Sequence, residues 1–378
     1  MTKIVHISTI HPRRDTRVFY RECLSLKKAG YDVIFIVADG KGDENFKDIK
    51  IIDIGKFKYR FKNFIFSYFI LKKIINKIKP SIVHFHDAEL MFVGKFLSNK
   101  GIDVFYDIHE NVAMQILVKS YIPLFLRKPL KFIYVFTEKL LINNFHLILA
   151  EDSYKPLYEN KGKTCTVVLN LPETNAFDKY IKANRMNEKG IFYIGGVSNV
   201  RGLDTTVEAL KILNNRNIDF FMHYVGPISS DLLKEVNLNG IENKIKFYGR
   251  LDLLEGYSLS RKCKVGLAVL KPIKNYIESY PTKIFEYMSI KLPLITSDFP
   301  LYKNVVEKNN CGFCINPYSA NELADYIQRI FEDDNLSNKI AVNGYNLVKN
   351  EFNWETQEIK LLNCYNVALN ERNRINNK

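Results

Sequence analysis

No apolar run in the 378-residue sequence reaches the roughly 18–20 residues that a membrane-spanning helix requires. The opening, Met1-Thr-Lys-Ile-Val-His-Ile-Ser-Thr9, lacks the long apolar core of a secretory leader and reads as a first strand. The expectation is a cytoplasmic protein. Cysteine is scarce and scattered, at positions 23, 165, 263, 311, 314 and 364, and Cys311-Gly-Phe-Cys314 is the single close pair. A lone CxxC is weak ground for zinc and reads here as a strand edge; free buried thiols fit a reducing compartment. No G-x-G-x-x-G follows the first strand, which argues against a dinucleotide phosphate cradle at that place. No internal repeat is visible.

What is present suffices for two ordinary domains with full cores, since 47% of the residues are apolar. The formal charge of +14 asks for an anionic partner: lipid headgroups, nucleic acid and phosphorylated substrates all qualify. An excess of Lys, Asn and Ile through plain compositional bias inflates the same number without any function.

In the first half, residues 3–8 read as a strand, 16–29 as a helix closed by Gly30, and 31–38 as the next strand. This is the alternation of a doubly wound α/β domain. The intervening loop, His11-Pro-Arg-Arg-Asp-Thr-Arg17, offers Arg13, Asp15 and Arg17, although Asp15 is as well placed to cap the helix. Residues 56–80 interleave lysines with aromatics, and the stretch from residue 121 does so again. Such a pattern suits an anionic lipid interface or single-stranded nucleic acid, and equally a half-buried helix whose lysines solvate its outer face. His84, His86 and His109 lie near carboxylates and raise the question of a metal. His84 and His86 alternate along a strand, which puts both on one face at the sheet edge, and no metal site is expected.

In the second half, the polar stretch 173–189 reads as an interdomain linker, and Gly190 opens a fresh α/β series. The chain is organised around residues 263–297. There, residues 265–270 and 292–295 read as buried parallel strands, joined by a loop and a short helix opening at Pro281, with Ser279 as a candidate cap. A strand, a loop and a helix N-terminus at the carboxyl end of a parallel sheet make an anion site. Glu278 and Glu286 frame it. A carboxylate can accept two hydroxyls of a ribose or hexose, and Lys283 in the first turn can meet a diphosphate. On spacing alone, a surface loop with scattered charges explains these residues equally well.

The segment Glu278-Ser-Tyr-Pro-Thr-Lys-Ile-Phe-Glu286-Tyr-Met-Ser, followed by Leu-Pro-Leu-Ile-Thr-Ser297, resembles the EX7E region of retaining GT-B glycosyltransferases of family 4. The resemblance continues through Ile245-Lys-Phe-Tyr-Gly-Arg250, Cys311-Gly-Phe-Cys-Ile-Asn-Pro317 and Phe352-Asn-Trp354, covering most of the C-terminal half. It implies an α/β chain of GT-B architecture, two Rossmann-like doubly wound domains facing across a cleft. Residues 1–172 would bind the acceptor and residues 190–353 the nucleotide sugar. Residues 354–378 would form a helix returning to the first domain, frayed at its end.

The same resemblance assigns residues. Glu286 would bind the ribose, and Glu278 would lie near the donor sugar hydroxyls. Ser279 and Tyr280 would sit at the diphosphate, and Arg250 beside the base. Gly195 and Gly196 fall in a loop where the family usually carries an arginine and, five residues on, a lysine. Here Gly196 replaces that arginine and Arg201 stands at the lysine position, so the clamp is one charge short unless Lys283 restores it. His109 falls where the family places a histidine close to the donor sugar, to hydrogen-bond the sugar or its phosphate. Arg13, Asp15, Arg17, His86 and Asp87 would line the acceptor side.

The implied reaction is retaining transfer of a hexosyl or N-acetylhexosaminyl group from a nucleotide diphosphate sugar to a lipid-linked or oligosaccharide acceptor. O-antigen, capsule or a similar surface glycan would be the product. Front-face attack needs no dedicated base, and Arg201, Lys283 and a helix N-terminus supply the positive field without metal or cofactor. The two basic, aromatic segments favour a peripheral position on the anionic inner face of the plasma membrane, and nucleic acid is not expected as a partner. The runners-up are a GT-B-fold epimerase or phosphorylase, the latter lacking a recognisable pyridoxal phosphate lysine, and a nucleic-acid-binding protein prompted by charge alone.

Overall fold

The computed structural model describes every residue except 57–59, 120–121, 183–184, 186–187 and 377–378, with the backbone alone for 60–66, 373 and 375–376. Part of the basic, aromatic stretch 56–80 therefore lies outside the described residues. The chain divides into two compact units, residues 1–170 with 356–378, and residues 171–355. The stretch 173–189, expected to be a linker, belongs to the second unit. Its Phe177 and Tyr180 are buried against Tyr257, with ring centroids 4.7 and 6.5 Å away. Arg185 there donates to the carbonyls of Ser260, Cys263 and Ile290 at 2.5, 2.6 and 3.1 Å. Aromatic burial and capture of main-chain oxygens hold a segment whose polarity alone suggested a tether.

The first unit contains β1 (Lys3–Ser8), β2 (Asp32–Val37), β3 (Glu44–Phe46), β4 (Ile49–Asp53), β5 (Ile82–Phe85), β6 (Asp103–Ile108), β7 (His146–Leu149) and β8 (Thr164–Val167). They form one sheet in the order β3-β4-β2-β1-β5-β6-β7-β8, parallel apart from β3 against β4. Strands buried on both faces need near-continuous apolar runs, which Ile4, Val5 and Ile7 or Val104, Phe105 and Tyr106 supply. The chain winds from β1 to β2 on one side, while β5 flanks β1 on the other. Their carboxyl ends are the topological switch point, where a doubly wound sheet opens a crevice.

His84 and His86 do not lie at a sheet edge as expected, because β5 sits between β1 and β6 in the middle of the sheet. The terminal helix Trp354–Asn376 packs in this unit through Tyr365, whose ring stacks on Phe105 at 4.4 Å. The expected fraying is not seen as far as Asn376. Arg372 ties the last turns down by donating to the Ser81 carbonyl at 2.6 Å.

The second unit contains β9 (Gly190–Ile194), β10 (Phe221–Val225), β11 (Ile245–Phe247), β12 (Cys263–Ala268), β13 (Leu294–Ser297) and β14 (Gly312–Ile315). Their order is β11-β10-β9-β12-β13-β14, and every pairing is parallel. Ile191, Leu267 and Ile295 lie in a core with Leu210 of the helix Leu203–Asn215 and Leu323 of the helix Ala320–Glu332. The switch point here is at the ends of β9 and β12. Cys314 lies on the edge strand β14 and Cys311 just before it, both as free thiols.

Candidate functional site

In the second unit the switch point is built around glycine. β9 runs into Gly195-Gly196, and Gly195 has φ +127°, a left-handed conformation that a side chain would strain. Beside it, a β-carbon on Gly226 would stand 2.0 Å from the Gly195 carbonyl oxygen. Only paired glycines allow the strand ends to close this far. Main-chain bonds then fix the loop, Gly195 N–H to Val225 at 2.8 Å and Gly226 N–H to Gly249 at 2.7 Å.

Two cations converge on that loop. A carbon added at Gly195 would meet Lys283 Nζ at 3.3 Å and Arg201 Nη1 at 3.6 Å, and one at Gly196 would meet Arg201 Nη1 at 3.2 Å. Arg201 Nε donates to the Tyr276 hydroxyl at 3.1 Å. The Tyr193 hydroxyl donates to the Gly196 carbonyl at 2.7 Å, while its ring carries the Lys283 ammonium 3.9 Å above its centre. Lys283 Nζ is buried and has no hydrogen-bond partner among the described residues. Burial, and then repulsion from Arg201, bring its pKa down from 10.5 to about 7. An anion set between Arg201 and Lys283 would satisfy both groups.

Glu286 lies one turn beyond Lys283 on the helix Thr282–Ser289 and accepts from the Tyr257 hydroxyl at 2.5 Å. Glu278 is different. It ends the short helix Lys274–Ile277, half-exposed, 3.8 Å from Lys274. Ser279 is not the helix cap: its hydroxyl donates to the Asn275 carbonyl, and Pro281 takes the cap position without a side-chain bond. The Tyr280 ring packs near Phe285 and Phe352, with centroids at 5.6 and 6.4 Å. Arg250 is exposed beyond β11. Sequence reasoning missed Tyr193, Tyr257 and Tyr276, which hold the charged groups; in the sequence they look like ordinary core aromatics.

The first unit carries a second constellation at the ends of β1 and β5. A cavity of about 210 Å³ is lined by His11, His86, Asp87, His109, Glu110 and Lys119, among others. Asp87 accepts from Thr9 N–H at 2.5 Å and Ser8 Oγ at 3.1 Å, and lies 3.2 Å from His11 Nδ1. His109 Nε2 meets Asp107 Oδ2 at 2.8 Å and His86 Nδ1 at 3.2 Å. Burial opposes the charge on Asp107, but Arg17 grips both its oxygens, at 2.8 and 2.9 Å, and holds its carboxyl well below the usual range.

Three residues expected on the acceptor side serve the scaffold instead. Arg17 is buried on Asp107 and the Val168 carbonyl. Arg13 is buried on Asp39, at 2.7 and 2.5 Å, and the Gly42 carbonyl. Asp15 caps the helix Thr16–Cys23, accepting from Arg17 N–H at 2.8 Å and Val18 N–H at 2.9 Å. A guanidinium taken out of water requires carboxylates and carbonyls around it, and those partners commit both arginines to the scaffold. His86 and Asp87 do line the cavity, and His11, read only as part of the loop, joins them.

Residues 175–347 match the family model of the glycosyl transferases group 1, and residues 8–109 that of the glycosyl transferase 4-like family. The chain is a glycosyltransferase whose second half matches the group 1 family. This glycosyltransferase is 24% identical over 155 residues to the alpha-D-kanosaminyltransferase of Streptomyces kanamyceticus, a match spanning 40% of the chain and 39% of that relative. It is 21% identical over 401 residues to the capsular polysaccharide biosynthesis glycosyltransferase CapM of Staphylococcus aureus, covering 98% of each. Among solved structures it resembles the sucrose-phosphate synthase of Thermosynechococcus elongatus, with a TM-score of 0.72, 17% identity and coverage of 98% and 100%. It also resembles Anabaena HepE in complex with UDP-glucose, with a TM-score of 0.72, 15% identity and coverage of 97% and 100%. The fold is GT-B.

Proposed function

We propose that the chain transfers a hexosyl or N-acetylhexosaminyl group, with retention, from a nucleotide diphosphate sugar to a lipid-linked or oligosaccharide acceptor in surface-polysaccharide assembly. The convergence of Arg201 and Lys283 on the Gly195-Gly196 loop is the observation that carries this reading. A diphosphate there would accept charge-assisted hydrogen bonds from both. Glu286 would accept ribose hydroxyls, with Tyr257 holding its carboxylate in place. His109, oriented by Asp107, would hydrogen-bond the donor sugar or its phosphate. The leaving phosphate would take the acceptor proton, so neither a dedicated base nor a catalytic metal is invoked. UDP-glucose in the Anabaena HepE structure and the capsule role in the name of the Staphylococcus aureus relative support the substrate classes. Thermal-shift and hydrolysis screening of nucleotide sugars tests the proposal. Stabilisation by no nucleoside diphosphate, together with co-purified nucleic acid, would favour the charge-driven alternative.

The acceptor reading extends to a membrane. Among the described residues no helix is long and apolar enough to cross one. The helix Leu124–Ile142, however, exposes Phe125 at 77% and Phe132 at 75%, with Ile133, Phe136 and Leu140 also exposed, beside Arg127, Lys128 and Lys131. Exposed aromatic and aliphatic side chains flanked by cations suit insertion at an anionic bilayer surface. Each cation near such a surface contributes about 1 kcal/mol. Flotation with anionic vesicles should show binding that weakens with salt. Equal binding to neutral vesicles counts against the electrostatic part.

A further inference from the structure

Behind the first unit's cavity lies a cluster that the transfer reaction leaves unexplained. His6 on β1 and His84 on β5 are register partners, and His86 follows two residues on, on the same face. Glu22 reaches them from the helix Thr16–Cys23, and none of the four is more than 4% exposed. Three imidazoles and a carboxyl group inside a sheet's core are costly unless each polar atom is satisfied. Here they are not. Neither oxygen of Glu22 has a hydrogen-bond partner among the described residues. Arg17 Nε lies 3.1 Å from Glu22 Oε1, but its hydrogen bond goes to Asp107.

One coordinating atom from each of the four residues lies within 4.8 Å of those of the other three. His6 Nδ1 is 3.1 Å from His86 Nε2, and Glu22 Oε2 is 3.8 Å from His84 Nδ1 and 3.9 Å from His86 Nε2. A tetrahedral zinc ion with bonds of about 2.0–2.1 Å separates its ligand atoms by about 3.3–3.4 Å, so these gaps bracket what a metal would set. We propose that His6, Glu22, His84 and His86 form a buried structural site for one divalent d-block cation, zinc by chemical preference.

Imidazoles with one carboxylate are a borderline donor set that suits zinc better than calcium or magnesium. The burial of all four side chains suits a closed, structural site. The metal would also act on the neighbouring cavity. With His86 Nε2 coordinated, its Nδ1 must carry the proton, aimed at Asp107 Oδ2 3.3 Å away. That carboxylate–histidine–metal chain fixes the tautomer of a ring lining the cavity. Without a metal, the same groups form a proton-sharing network, in which burial and the neighbouring Asp107 push the Glu22 carboxyl up and Tyr365 Oη is bonded to His84 Nδ1 at 2.7 Å.

The full chain, purified without metal-affinity resin, should retain about one zinc per molecule after dialysis. Cobalt loaded in its place should give the intense visible absorption of four-coordinate cobalt, and a chelator should lower Tm until zinc is restored. Glu22→Gln, which keeps the volume and removes the charge, should reduce retained metal at least roughly tenfold. Should that variant fail to fold, the cobalt spectrum of the unaltered chain decides alone. Less than roughly a tenth of an equivalent after incubation with zinc, with no cobalt band, overturns the proposal in favour of the proton-sharing network. Undiminished metal with an unchanged cobalt spectrum in folded Glu22→Gln places the ion elsewhere and overturns it equally.

Discussion

Lys283 carries the donor assignment furthest, because its buried ammonium must respond to a diphosphate. With a pKa of about 7 in the unliganded protein, roughly nine-tenths of it is neutral at pH 8. A nucleoside diphosphate has lost its last proton by then, since a terminal phosphate titrates near about pH 6. Set between Arg201 and Lys283, that charge reverses the penalty on the ammonium and draws the pKa back toward its ordinary 10.5. Binding at pH 8 should therefore take up close to one proton. Affinity should fall as pH rises above 7, by up to about tenfold per pH unit, until the bound-state pKa is passed. Calorimetry of UDP binding in two buffers of different ionisation enthalpy reads the proton directly, and Lys283→Met should abolish it. An affinity flat from about pH 7 to 9 with no proton uptake refutes the placement of Lys283 at the diphosphate.

The same group predicts an opposite trend in stability. Its folded pKa lies below the unfolded value, so between about pH 7 and 10.5 the unfolded chain binds more protons. Stability contributed by Lys283 therefore rises with pH across that window, and below it the cost of burying the charge is complete. The full pKa difference caps that cost at about 5 kcal/mol, and the contact with Tyr193 and local relaxation reduce it to a few. Lys283→Met should raise Tm at neutral pH and much less near pH 10, a difference that saturating UDP should erase.

Glu286→Ala should weaken UDP and UDP-sugar binding alike, by about 1–3 kcal/mol or roughly five- to a hundred-fold, since it removes an acceptor of paired hydroxyls; unchanged UDP affinity in calorimetry sinks the ribose assignment. Gly226→Ala should cost about 2–4 kcal/mol, read as a lower Tm, because its β-carbon would sit on the Gly195 carbonyl oxygen in a left-handed backbone. Lys283→Ala and Arg201→Ala should lower turnover more than they raise the donor KM. Gly196→Arg should partly rescue Lys283→Ala, and steady-state kinetics on the single and double variants show whether both charges serve the same phosphates.

The alternation of strands and helices in both units follows from features visible in the sequence, because buried parallel strands need apolar runs such as residues 265–270 and helices need caps and glycine stops; the order of the strands does not. What stayed hidden was the use to which charged residues are put. Arg13 and Arg17 look like ligand groups in a loop, yet their partners Asp39, Glu44 and Asp107 lie 26 to 90 residues away and only the sheet brings them together. Lys283 could be read from its place in the first helical turn as a charge for a diphosphate, but its burial over Tyr193 depends on a contact across 90 residues and was not legible. His6 could not be joined to His84 until β1 and β5 were known to be neighbours. Local pattern predicts local structure, and the long-range pairings that set a side chain's electrostatics leave no mark in spacing.

Gly196 and Lys283 are best understood together. A guanidinium at position 196 would hold one full charge on the loop at every stage of the reaction, binding ground and transition states alike. A buried lysine with a pKa of about 7 is half-charged at neutral pH before a donor arrives, and under the proposed placement it would become more fully charged as negative charge gathers on a phosphate beside it. A hydrogen bond from it would then be strongest toward a departing diphosphate. Only interactions that strengthen toward the transition state raise turnover. Replacing a fixed arginine by a titrating lysine across the loop therefore gives up resting affinity while keeping the part of the field that acts on bond cleavage. On this argument the Gly196→Arg chain should bind UDP more tightly than the unaltered chain and yet turn over no faster.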